Sequence, residues 1–248
     1  MIKQLLLTLL AGPAAASAQG GAPSSPAEAA VLRQIEAQRA TDALIGAKIG
    51  SRQVLERMLA AMTGARGVHI ESLLCALGSL AGYACQASVR AIAVSSGLAA
   101  TALLVQARTT DGRTFYFGDE LNRPLAEGRH SVWSLAVAGA ESAGCRSVPA
   151  PGAIFTHVSR TVGTPAFGVP RLPAGHPVHD APVNYVRTFW PALAPSIRTY
   201  CPDPLHWPIL LGLSIQGTIV DGKQALDPCL ALQIVMESAV PMSKIDLS

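Results

Sequence analysis

Eighteen consecutive residues, Ser72 to Val89, carry no charge. A stretch this long and apolar has two homes, the centre of a packed helical domain or a lipid bilayer. His69 and Glu71 bracket one end, and Gln86 and Arg90 lie near the other. Inside it Gly78 and Gly82 form a GxxxG spacing flanked by Ser79 and Tyr83. In a bilayer such spacing lets two helices approach closely. In water the same small residues let one helix pack tightly against its neighbours. The length sits at the lower edge for a span. The expectation is therefore a buried central helix over about 68–94, with Leu73, Leu80 and Tyr83 pointing inward. Membrane association through 72–89 is the alternative.

Composition narrows the class. Half of the 248 residues are apolar, 14% are charged, and the mean hydropathy is +0.34. A chain with that much apolar surface can offset its ordering entropy, so disorder throughout is excluded. Charge is too sparse for a coiled-coil rod. The excess of three positive charges is scattered. No basic stripe faces a phosphate backbone, and nucleic-acid binding is not expected.

Helical signals dominate the rest. Arg33, Glu36, Arg39 and Asp42 alternate in sign at three-residue spacing, a solvated helix face. Gly50 followed by Ser51 reads as a stop and a new N-cap, and Gly64 as a C-cap. Asp111-Gly112 between two β-prone runs predicts one hairpin over about 102–117. Pro124 opens a further helix to about Ala143. Residues 163–182 are rich in Gly and Pro and predict a long irregular loop of the kind that often carries function. Pro191 and Pro195 should kink or split a helix over 186–200. The fold expected is mainly α: one domain, residues 29–248, with seven or eight helices and the hairpin. No internal repeat is present.

The first 18 residues have a basic Lys3, a Leu5–Leu10 run and a small-residue Ala16-Ser17-Ala18 site. They read as a signal peptide, followed by a flexible tether over 19–28. With a cleaved leader the protein is periplasmic or secreted; otherwise it is cytoplasmic. The five cysteines argue against export, because an odd number cannot all pair. Cys75 and Cys229 sit among Leu and Ala as buried thiols do, and Cys145 or Cys201 is the candidate reactive thiol.

Catalytic signatures are missing. There is no P-loop, no GxGxxG after a strand and no HExxH, and GxSxG is approached twice without being met. No cofactor is expected. Three polar groupings remain. His176, His179 and Asp180 lie within five residues and could ligate a metal if the loop folds back. Asp119, Glu120 and Asn122 follow the hairpin, where they cap a turn or form a polar ligand site. His69 and Glu71 could join them. Trp190-Pro191 and Trp207-Pro208 either pack at helix starts or form an aromatic peptide groove.

GVHIESLLCALGSLAGYACQ, YFGDELN and SAVPMSKIDL resemble stretches of a bacterial family of uncharacterised proteins. The resemblance covers about residues 50–248. It implies a single domain and says nothing about chemistry. The function expected is a non-enzymatic binding or interaction module that self-associates through open hairpin edges. The rival is an enzyme whose site gathers distant residues: His69, Glu71, Asp119, Glu120, His176 and His179.

Overall fold

The computed structural model describes residues 25–247. The signal-peptide reading of 1–18 lies outside the described residues. Eight longer helices make up the described chain, and it is 63% helical with two small antiparallel strand pairs, a mainly α domain as expected.

Helix α1 (Pro26–Gln38) begins inside the stretch read as tether. Ser25 caps it by accepting the Glu28 N–H, and Pro26 stands in its first turn, where a missing N–H costs nothing. Helix α2 (Ile45–Met62) runs straight through Gly50 and Ser51, so no stop exists there. The glycine serves packing instead: a Cβ on Gly50 would lie 2.6 Å from Leu210 and 2.8 Å from Tyr200. The helix ends at Thr63, and Gly64 pairs with Gly67 in a two-residue ribbon of β1 (Thr63–Gly64) and β2 (Gly67–Val68).

The uncharged stretch forms α3 (Ile70–Ser95). It is long and apolar enough to cross a membrane, yet 89% of its most apolar window is buried within the protein. Leu73 and Leu80 are fully buried, and Tyr83 packs edge-on against Trp190.

After α3 come β3 (Val105–Arg108) and β4 (Thr114–Phe117), paired Val105 to Phe117 and Arg108 to Thr114. The connection is longer than a two-residue turn. Thr109 and Arg113 close it, and only Gly112 takes positive φ. The outer edge of β4 is not open: Phe115 bridges Ile245, and the Tyr116 N–H donates to the Lys244 carbonyl. Of the two edges expected to recruit another chain, β3 alone remains, with Val105 exposed.

The expected 124–143 helix is broken in two. A turn at Asp119–Asn122 runs into a π-turn at Arg123–Glu127, and α4 (Val132–Ala143) restarts behind the Ser131 cap. Then follow α5 (Gly152–Thr161), the irregular 163–181 loop, and α6 (Pro182–Tyr200), whose two internal prolines do not split it. Helices α7 (Trp207–Asp221) and α8 (Pro228–Met242) complete the chain, the latter capped by Asp227.

The core centres on α3, packed against α8, α7 and α6. Gly78 and Gly82 face Val235 and Ala239 of α8, backbone to backbone. Cys145 and Cys229 form a disulfide, so neither is the free thiol expected; it ties the end of α4 to the start of α8. Cys75, Cys85 and Cys201 are free and buried. Burial pushes the Cys75 thiol to about 11 and Cys201 to about 12, too high for a thiolate nucleophile at neutral pH. Trp207 is buried and donates to the Cys201 carbonyl, while Trp190 faces Tyr83, so the two Trp-Pro steps pack rather than form a groove.

Candidate functional site

The 163–181 loop folds back over the body, and its two limbs do different things. The second limb meets the N-terminus of α3. His69 caps that helix, its Nδ1 accepting the Ser72 N–H at 3.4 Å and lying 2.9 Å from the Ser72 hydroxyl. With Nδ1 accepting, the proton sits on Nε2, 3.5 Å from Glu71 Oε2. The other Glu71 oxygen takes a 3.0 Å hydrogen bond from His176 Nδ1. The His179 N–H donates to Ser72 Oγ at 3.0 Å, and its ring stacks on His69 with centroids 4.0 Å apart. One carboxylate thus holds two imidazoles, with a third stacked beside them.

The electrostatics follow. Burial would raise the Glu71 carboxyl, but the His176 hydrogen bond and the nearby imidazoles outweigh it and hold the group below its usual value. Burial depresses His69; Glu71 opposes this, while His179 and Arg66 add to it. At neutral pH the cluster is therefore an ionised Glu71 with a neutral His69. Ser72 is buried and its hydroxyl is committed on both sides, so it offers no nucleophile. His176 Nε2 and the two ring nitrogens of His179 carry no hydrogen bond among the described residues and are left over for chemistry.

Asp180 does not join the histidines. Its carboxylate accepts from the Ala181 N–H and from Asn184, starting α6. Among the described residues no group of three or more His, Cys, Asp or Glu could hold a metal ion. The grouping after the hairpin also stands apart. Glu120 faces Arg123 at 3.5 Å, Asp119 opens the short turn, and Asn122 accepts from Lys244 at 3.3 Å.

Lys244 is the residue that sequence reasoning missed. It is buried, beside Phe117 and Phe155, with no carboxylate in ion-pair range among the described residues. Burial pushes its ammonium down to about 8. Around it Gln86 donates to the carbonyls of Ser243 and Ile245, and Asp246 takes hydrogen bonds from Arg90 and Tyr116. All three stretches that carried the family resemblance meet at this knot.

The first limb of the loop walls a cleft of about 440 Å³. Phe115 of β4, Phe167, Val169, Val183 of α6, Met242 and Leu247 give it apolar walls. Phe115 and Phe167 meet edge to face at 4.9 Å, and a small apolar cluster of Val186, Met242 and Ile245 lies below. Arg113 anchors the loop by donating to the Gly163 carbonyl. Farther along, Arg171 makes a bidentate pair with the buried Glu237.

No family model, no curated protein and no solved structure matches this chain.

Proposed function

We propose that the chain is a non-enzymatic binding module whose small-molecule ligand lies in the cleft under the first limb of the 163–181 loop. One observation carries this: the long loop closes over a concave, apolar-walled space with charged side chains at its border. Loops without secondary structure persist in compact domains mainly where they serve binding. Methyl NMR with Val183 and Met242 labelled tests it. Addition of a ten-carbon probe, decanol or decanoate, should shift both signals, and silence from both probes overturns the reading.

The enzyme reading keeps one specific support, the convergence of His69, Glu71, His176 and His179. A carboxylate behind an imidazole orients it and fixes which ring nitrogen faces outward, as a general base requires. The reacting nitrogen is His176 Nε2. Hydrolysis of p-nitrophenyl acetate faster than by free imidazole, and lost in Glu71→Gln, supports it. A rate no greater than that of imidazole removes it.

Self-association belongs to the proposal through the β3 edge and Val105 alone, and light scattering at micromolar concentration checks it. A strict monomer counts against it. The disulfide supports the exported alternative, since such bonds persist in oxidising compartments. A reporter fused behind residues 1–18 that stays in the cytosol argues the other way.

A further inference from the structure

We propose that the ligand of the cleft is an anionic amphiphile, an alkyl chain ending in a carboxylate, with Arg187 receiving the charged end. The inference rests on the cleft being a binding site, and adds the chemical class. Three charged side chains border the space: Arg113, Arg187 and Asp246. Two are committed. Arg113 pairs with Asp111 at 2.7 Å and donates to Gly163, while Asp246 takes hydrogen bonds from Arg90 and from the Tyr116 hydroxyl. Arg187 is exposed and has no hydrogen bond or ion pair among the described residues.

Its position is set by the helix. Val183 and Arg187 stand one turn apart on α6, and both line the cleft. An alkyl chain along Phe167, Val183 and Met242 would place its head group beside the guanidinium. The guanidinium fork matches a carboxylate in two parallel hydrogen bonds. With Arg113 answering to Asp111 and Asp246 to Arg90, the charge left over at the border is the Arg187 guanidinium, which favours an anion over a cation.

The test compares decanoate with decanol, below their aggregation concentrations, by titration calorimetry on the full chain. Decanoate should bind about fivefold more tightly, the scale of an exposed ion pair. Arg187→Met should erase that preference and leave decanol unchanged. Val169→Trp, at a position that is 58% exposed and so tolerant of bulk, should block both probes. Equal affinity for the two probes overturns the anionic class while the cleft reading stands. Binding of neither probe overturns both. Decanoate binding that ignores Val169→Trp and Arg187→Met lies elsewhere and overturns the inference.

Discussion

Replacing Gly82 by alanine tests the close approach of α3 and α8. A Cβ at Gly82 would lie 2.0 Å from the Ala239 carbonyl oxygen, 2.7 Å from its carbon and 2.8 Å from its Cα. Ordinary contact begins at 3.4 Å, so the methyl falls about 1.4 Å short of the room it needs. What it meets is backbone, and no side chain can rotate away. Gly78 makes the same approach one turn earlier, with Val235 O at 2.6 Å. The two helices must therefore part along the middle of the core. Overpacking costs about 1–3 kcal/mol and occasionally more. Contact with rigid backbone puts this site at the upper end. Alanine's better helix propensity returns about 1 kcal/mol. The net expectation is a loss of about 2 kcal/mol.

Gly217 supplies the control. It lies inside α7, and a Cβ there meets nothing within 4 Å. Gly217→Ala keeps the propensity gain with no clash and should stabilise by about 0.5–1 kcal/mol. Urea unfolding followed by circular dichroism reads both variants. For a chain of this size the Gly82 change corresponds to a melting point lower by roughly 4–8 °C. A Gly82→Ala protein as stable as the parent, or as stable as Gly217→Ala, refutes the packing argument.

Three other perturbations follow from the same structure. The Cys145–Cys229 bridge spans 84 residues, and in the chain-entropy treatment its loss costs about 4.5 kcal/mol; a Cys145→Ser, Cys229→Ser double variant with an unchanged urea midpoint would contradict it, and the native protein should yield three thiols, only after unfolding. Lys244→Met should stabilise by about 2–3 kcal/mol at pH 7, less one hydrogen bond to Asn122, because the folded ammonium titrates near 8 against 10.5 unfolded. The sign is that of a depressed base: the penalty is full below pH 8 and fades as pH rises towards 10.5, so the gap between variant and parent should close in that window. At the His cluster both shifts act in one direction. A penalty at His69 grows as pH falls below 6.5, and Glu71 loses its contribution as pH falls from 4.5 through its lowered value. The protection factor of the His179 N–H, bonded to Ser72, should therefore fall on acidification, and a protection factor that is flat from pH 7 to pH 4 contradicts this.

What could be read in advance was local. The absence of charge over 72–89 announced the central helix, and the small residues within it announced a close neighbour, though not which one. Asp111-Gly112 announced the hairpin. The misreadings share a cause. Gly50 stops a helix by propensity, yet here the helix continues because Tyr200 and Leu210 occupy the space a Cβ would take. The helix expected from Pro124 broke at Gly128, whose N–H closes the π-turn on the Arg123 carbonyl, and Ser131 restarts it as a cap. Tertiary contact decided the first case and a local change of hydrogen-bond partner the second, and propensity carries no term for either.

The same asymmetry explains the candidate sites. His69 and Glu71 were visible as polar residues at the mouth of an apolar stretch, and His176 and His179 as polar residues in a loop. Their union depends on where a 19-residue loop returns, between Gly163 and Ala181, and nothing in either stretch encodes that. Its fastenings lie elsewhere: Arg113 on the hairpin grips Gly163, and Glu237 with Gln233 on α8 grips Arg171. These anchors fix both limbs at once, so the cleft and the imidazole cluster are two consequences of one closure. Cutting the Glu237 anchor with Glu237→Gln should loosen both, weakening decanoate binding and exposing the His179 N–H together. If only one of the two responds, the limbs are held independently, and the loop is not the single element that builds them.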